Sequence, residues 1–345
     1  MNRVTAWLAG AAMALAALGV QAAELRVLTW SSYLSPKVVE RFERETGVTV
    51  RIDTVTNYVE LLAPLLTGAS GYDIAFPADF QVRDLAQKGL LEKVNVDRLP
   101  NFHNIEDIWR GRSLDPRNEY TVPHVWGTTA FVVDTEAYRG DIDTIRLLFE
   151  PPAELRDRLV LMDSGYDMVQ LALIHLRLPR CTTRQDHFDY VEALLLPMLK
   201  IHPLADIDTI IDTLADPRYA IGVAWNGDAL KARQRRPGLR YAYPREGSLV
   251  WTDVLAVPKG APNKADALKF MSFMMRPEIA AEETNYNGYA NMIRGSEAHM
   301  DRDLVNSREI IAPVAATLDF FTYCDNTAER EQEVFWARLK KKAGK

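Results

Sequence analysis

The chain of 345 residues holds only two cysteines, Cys181 and Cys324. Neither has a partner at metal-ligand spacing, so no metal site is expected. An oxidising compartment would permit a bridge between them, but the sequence leaves open whether they lie close enough. The catalytic signatures are missing too. There is no Gly-x-Ser-x-Gly elbow, no His-Glu-x-x-His helix, no P-loop and no Gly-x-Gly-x-x-Gly turn. This removes the common hydrolase, metalloprotease, NTPase and dinucleotide-binding patterns. The histidines are scattered at 103, 124, 175, 187, 202 and 299 in unlike contexts. His124 stands near Trp126 but has no evident nucleophile beside it. No catalytic residue and no cofactor are expected.

Positive charge is also in deficit. With 41 Lys and Arg against 47 Asp and Glu, the net charge is −6. Nucleic acid would call for basic patches, so it is not an expected partner. A mildly acidic chain is compatible with a cationic ligand, though solubility alone also favours such a charge.

Beyond the start of the chain no run is long and apolar enough to span a bilayer. The start itself reads as an export signal over 1–23. Arg3 supplies the positive n-region, Ala6 to Val20 the apolar stretch, and Val20-Gln21-Ala22 a small-x-small cleavage site. The mature protein would begin near Glu24. No cysteine lies there to carry a lipid, so a soluble, exported protein without a lipid anchor is expected. Its length favours two domains.

The mature chain begins as alternating strands and helices. Leu25 to Trp30 reads as a buried strand. Ser35-Pro36 then opens a helix as N-cap and first-turn proline, and Gly47 closes it. Val48, Val50 and Ile52 alternate as in a strand. A helix through Leu61 to Leu66 and a strand over Tyr72 to Pro77 follow. This order predicts a parallel sheet with right-handed crossovers. The apolar run Ala130-Phe131-Val132-Val133 reads as a crossing between domains. Further strands are expected at Leu159–Met162, Ile221–Trp225 and Val254–Pro258, with helices at Met168–Leu176 and Ala265–Met275. Met271 and Met275 are core filler rather than metal ligands.

Two distant segments carry the chemistry. Leu28-Thr29-Trp30-Ser31-Ser32-Tyr33 and Val250-Trp251-Thr252-Asp253 each place an indole and a small polar or acidic group at an expected strand end. Strand ends facing a crevice are where open α/β sheets hold ligands. Indole faces beside a carboxylate suit organic cations with methylene chains.

These segments, with Glu45-Thr46-Gly47-Val48, Gly71-Tyr72-Asp73-Ile74-Ala75-Phe76-Pro77, Val122-Pro123-His124-Val125-Trp126-Gly127, Trp225-Asn226-Gly227-Asp228, Tyr243-Pro244-Arg245-Glu246-Gly247 and Met275-Arg276-Pro277-Glu278, occur in a specific order. In that order the chain resembles the periplasmic spermidine/putrescine-binding proteins of ABC importers, over essentially the whole mature length. The resemblance implies a type II periplasmic-binding-protein fold: two α/β lobes joined by crossing strands. Lobe one would hold 24–129 plus 252–300, and lobe two 130–251 plus 301–345. It implies a small cationic ligand, a polyamine, held between the lobes and passed by a monomer to an inner-membrane ABC permease. A membrane sensor is an alternative partner.

By the same resemblance Trp30, Ser31 and Tyr33 would meet the ligand from the first strand, and Asp79 and Phe80 from the loop after Pro77. Asp167 would hold an ammonium, Trp225 would stack, and Trp251 and Asp253 would grip with ring and carboxylate. Asp167 also reads as a first-turn helix acid, and Asp79 as an N-cap.

This sequence departs from the family at Ser164, where spermidine binders often carry an aspartate, and at Ala78 and Phe80. A contact near Phe321 to Cys324 cannot be placed. Fewer carboxylates imply a shorter or less charged amine than spermidine, or no polyamine at all. An amino acid or opine would need an arginine in the cleft, for which Arg245 and Arg294 are the candidates. An enzyme would need Asp167 and Asp253 to face each other as a catalytic pair.

Overall fold

A computed structural model describes residues 24–111, 115–319, 324 and 326–345. The expected export signal lies outside the described residues, and so does all of the stretch from Phe321 to Cys324 except Cys324 itself.

The described residues begin with β1 (Glu24–Trp30), α1 (Pro36–Thr46), β2 (Thr49–Val55), α2 (Tyr58–Leu65), β3 (Ile74–Ala75) and α3 (Asp79–Gln87). β2 and β3 both lie parallel to β1, as alternating strands and helices require. Pro36 occupies the first turn of α1, and Gly47 ends it at φ 72° with its N–H on the Glu43 carbonyl. Ser35 stands at the N-cap, but its side chain caps nothing. Instead its backbone N–H donates to the buried Glu283 carboxylate. The strand expected over Tyr72 to Pro77 shortens to Ile74–Ala75, because the Asp73 carboxylate takes the Arg26 N–H at 2.9 Å beside it.

β4 (Thr121–Asp134) is 14 residues long, which at ~3.3 Å per residue is enough to serve two cores. Beyond it come α4 (Arg146–Phe149), α5 (Ala153–Arg156), β5 (Leu159–Met162), α6 (Gly165–His175), α7 (Gln185–Ile201), β6 (Leu204–Ala205), α8 (Ile210–Ala215), β7 (Ile221–Trp225), α9 (Asn226–Arg235) and β8 (Leu239–Tyr241). β9 (Ser248–Ala256) then pairs antiparallel with β4 from Thr121 to Thr129. The chain ends through α10 (Lys264–Met274), α11 (Pro277–Asn287), β10 (Ala290–Asn291), α12 (Arg302–Val305), β11 (Leu318–Asp319) and α13 (Asn326–Ala343). The main strand order is β2-β1-β3-β9-β4-β7-β5-β6.

Buried apolar side chains gather in two large clusters. One draws on β1 to α3, on β9 from Val254, and on α10 and α11, with Met271 and Met275 inside it. The other draws on β4 from Ala130, on β5, α6, α7 and β7, and on Phe335, Trp336 and Leu339 of α13. Ala130–Val133 thus belongs wholly to the second cluster. The passage between clusters lies just before that run, and again in β9 between Leu249 and Val254. Val250–Asp253 and Val254–Ala256 form one strand rather than two, so Trp251 sits mid-strand and not at a strand end.

Cys181 and Cys324 are disulfide-bonded, with Cα atoms 4.9 Å apart. The bridge ties the entry of α13 to the segment before α7. No helix among the described residues is long and apolar enough to cross a membrane.

Candidate ligand-binding cavity

A cavity of about 310 Å³ opens between the two clusters. The carboxyl ends of five strands feed it: Trp30 and Ser31 from β1, Thr56 and Asn57 after β2, Asp163 after β5, Asp206 after β6 and Trp225 from β7. Ligands of open α/β sheets bind at such ends. The crossing strand β9 adds Trp251 and Asp253, which share a face because they are two residues apart.

Seven aromatic rings line the space: Trp30, Tyr33, Tyr58, Trp225, Trp251, Tyr289 and Trp336. Trp251 meets Tyr289 edge-on at 4.9 Å, and Trp30 meets Tyr58 edge-on at 5.2 Å. Two glycines make room for these rings. A Cβ on Gly127, opposite Trp251 in the β4–β9 ladder, would collide with the indole. One on Gly227 would stand 2.5 Å from the Tyr289 ring. After β1 the chain turns at Ser32, whose φ of 56° is left-handed. Such backbone costs a non-glycine residue about 1 kcal/mol or more. Ser31 and Tyr33, on either side of this turn, both line the cavity.

Acid groups outnumber bases around the wall. Asp163, Asp206, Asp228, Asp253 and Glu333 face Lys231 and Lys340, with no arginine among the described lining residues. Asp253 accepts the Tyr33 hydroxyl at 2.5 Å. Burial pushes its carboxyl up to about 8, against the hydrogen bond from Tyr33, which lowers it. Burial likewise raises Asp228 to about 6, though Lys231 opposes this. Tyr33 itself rises well above the usual phenol range through burial and the adjacent Asp253 charge.

The structure gathers six of the nine residues named from sequence: Trp30, Ser31, Tyr33, Trp225, Trp251 and Asp253 all line this cavity. Asp79, Phe80 and Asp167 do not. Asp79 and Phe80 sit in the first turn of α3 rather than in a loop. Ala78, not Asp79, is the N-cap, and the Gln81 side chain accepts its N–H. Phe80 is turned onto Tyr166, stacked at 5.5 Å, and onto Tyr58. It thereby packs a ring from the first half of the chain against one from α6. Asp167 is buried in the first turn of α6, where the Thr129 and Ser164 hydroxyls each donate to it at 2.6 Å. Of the two carboxylates considered for a catalytic pair, only Asp253 faces the cavity. Arg245 and Arg294 are elsewhere, engaged with Asp141 and Asp107.

Sequence reasoning passed over Tyr58, Asp228, Lys231, Tyr289 and the face of α13. A signal for the last was present: Glu333, Trp336, Ala337 and Lys340 recur at i, i+3, i+4 and i+7, one face of a helix. Asp228 lay within a quoted segment, but as a first-turn acid of α9 it reads as a helix-dipole partner.

Over residues 37–306 the chain matches the family described as bacterial extracellular solute-binding protein. It is 30% identical over 312 residues to the spermidine/putrescine-binding periplasmic protein of Salmonella typhimurium, covering 88% of each chain. It is 28% identical to the putrescine/agmatine-binding protein of Pseudomonas aeruginosa, over 92% of this chain and 91% of that one. A solved Listeria monocytogenes protein assigned to a spermidine/putrescine ABC transporter superposes with a TM-score of 0.85 at 25% identity, covering 92% of this chain and 98% of that one. An A. tumefaciens binding protein in complex with agropinic acid shares the fold alone, at a TM-score of 0.70 and 17% identity over 94% of this chain and 99% of that one. With its two cores, its crossing strands and a cavity between them, this chain belongs to the bacterial extracellular solute-binding proteins and has their type II fold.

Proposed function

We propose that this protein is a periplasmic receptor that captures a small polyamine in the cavity and delivers it to an inner-membrane ABC permease. One observation carries the reading. Asp253 is a buried carboxylate whose hydrogen-bonding partner is an uncharged phenol, inside a box of indoles. A buried acid of this kind is costly to ionise alone and gains most from a cation that enters beside it. An ammonium would bond the carboxylate, while its methylenes lie on the indole faces, each adding about 0.5–2 kcal/mol of cation–π attraction. The cavity falls within the size range of small-molecule sites, ~300–1,000 Å³.

The two core clusters support a division into lobe one, 24–129 plus 252–300, and lobe two, 130–251 plus 301–345. Ligand entry then needs the lobes to part. Ser31 donates to Asp208 at 2.6 Å, and the Phe80–Tyr166 stack likewise spans the two; both contacts support reading this conformation as closed. Closure around ligand is the signal that a permease would read. Trp30, Ser31, Tyr33, Trp225, Trp251 and Asp253 form the contact set; burial holds Asp253 protonated when empty, and the charges of Asp79 and Asp167 behind it act in the same direction. An amino acid or opine is a poorer fit, because no arginine lines the wall among the described residues.

The test is a titration of the purified mature protein with putrescine, cadaverine, spermidine and a panel of amino acids, followed by tryptophan emission. Four of the cavity rings are indoles, so a bound ligand must change the signal. An amine should do so at micromolar concentration or below. A response to amino acids with none to amines would reject the proposal.

A further inference from the structure

One of the cavity's carboxylates is already ion-paired with an ammonium group that belongs to the protein. Lys340 of α13 donates to both oxygens of Asp163, at 2.7 and 3.0 Å, and the Trp336 indole N–H adds a third bond at 3.1 Å. Asp228 accepts the Tyr289 hydroxyl at 3.3 Å, and Lys231, one turn along α9, acts on it through its charge and lies over the Tyr286 ring at 5.5 Å. Asp206 is exposed at the rim and spends its side chain on the Thr209 N–H and hydroxyl. Among the described residues the three other lining carboxylates, Asp228, Asp253 and Glu333, likewise make no ion pair; their bonds come from the Tyr289 hydroxyl, the Tyr33 hydroxyl and the Tyr166 backbone N–H.

Resting on the proposed polyamine reading, we propose that Lys340 is a specificity-determining residue: a tethered ammonium that occupies Asp163 and so withdraws one anionic anchor while adding a positive charge to the wall, which selects diamines over triamines. A ligand charge without its own carboxylate must shed water for no partner, which is costly in a closed site. A third ammonium would also have to sit near Lys340 or Lys231, and like charges at short range repel. The selection thus has a repulsive element as well as an attractive one, as discrimination generally requires. The sequence departure at Ser164 acts in the same direction, since that hydroxyl is committed to Asp167.

The experiment compares putrescine and spermidine by calorimetry on the wild type, on Lys340→Met and on the double variant Lys340→Met with Asp163→Asn. Methionine keeps most of the lysine stem, so packing along α13 is preserved. The wild type should bind putrescine more tightly than spermidine. Lys340→Met should shift the affinity ratio toward spermidine by about tenfold, the worth of one charge-assisted hydrogen bond. The double variant should return the ratio to that of the wild type, because the freed anchor is gone. Three results would overturn the inference alone: wild-type preference for spermidine, a ratio within about twofold of wild type in Lys340→Met, or the same shift in the double variant, which would mean a general field effect. Loss of putrescine binding in Lys340→Met would overturn it too, since Lys340 would then do more than fill Asp163. Failure of the wild type to bind either amine would instead remove the polyamine reading itself.

Discussion

The Tyr33 hydroxyl donates to the Asp253 carboxylate across 2.5 Å of space and 220 residues of chain. Tyr33 follows β1 and Asp253 belongs to the crossing strand β9, so the bond joins a strand-end turn to the element that links the two cores. It also leaves the carboxylate with a neutral partner in a buried site. Asp253→Asn keeps the shape and removes the charge. Amine affinity should fall by about 10- to 100-fold, the range for one lost charge-assisted bond in a desolvated site. The thermal midpoint of the empty protein should hold or rise, because a buried acid without a countercharge is a liability. Calorimetry and a melting curve check both halves; unchanged affinity would remove Asp253 from the site.

The same group sets a pH dependence. Burial raises the Asp253 carboxyl from its ordinary value of 3.8 to about 8, and the Asp79 and Asp167 charges act in the same direction. Tyr33 and Tyr289 also face the cavity but keep their protons across this range, both raised by burial. The folded empty protein therefore holds a proton that the unfolded chain has released. Its stability from this group should be full below about pH 4 and should drain away as pH rises toward about 8. Binding runs the other way. An ammonium needs the ionised acid, so amine affinity should climb with pH up to about 8 and level off there, falling only when the amine itself deprotonates near pH ~10. Calorimetry in buffers of different ionisation enthalpy at neutral pH should show proton release on binding. Asp253→Asn should cut that release to what Asp228 and Glu333, both also raised by burial, still contribute.

The indole face admits a separate test that leaves every charge in place. Gly127 stands opposite Trp251 in the β4–β9 ladder, and a methyl there would collide with the ring. Gly127→Ala should displace the indole and cost about 0.5–2 kcal/mol of binding, or roughly 2- to 30-fold in affinity. Trp251→Ala should lose at least as much, along with part of the fluorescence change. If Gly127→Ala binds as wild type, Trp251 does not contact ligand.

How much of this was legible beforehand follows from what local patterns encode. The β1–α1–β2 unit could be read because Ser35-Pro36 and Gly47 punctuate it and the apolar spacing switches period at Val48. The six cavity residues found from sequence sit in short aromatic–polar segments whose neighbours in the chain are themselves buried strand. The three that do not line the cavity share one feature. Asp79, Phe80 and Asp167 open helices, and the first turn of a helix directs its side chains according to packing that sequence does not state. Phe80 went to Tyr166 and Asp167 to the Thr129 hydroxyl, both partners contributed by distant segments. Lys340 and Glu333 stayed hidden because an amphipathic helix rich in charge reads as a solvated face until something covers it.

The disulfide supplies the last prediction. Cys181 and Cys324 are separated by 143 residues, and the bridge fixes the start of the helix that carries Glu333, Trp336 and Lys340. Beside it Gln170 and Gln332 bond each other at 2.8 Å, and both reach the Arg180 carbonyl. Closing so long a loop restricts the unfolded chain and is worth roughly 3–5 kcal/mol on the entropy account. Replacing both cysteines by serine should lower stability by about that much in a denaturant melt. The folded double variant retains the Gln170–Gln332 bond and the apolar seat of Phe335 and Leu339 in the second core. Amine affinity at low temperature should accordingly change much less than stability does. A large loss of affinity with little loss of stability would mean that the bridge positions α13 for the ligand rather than holding the fold together.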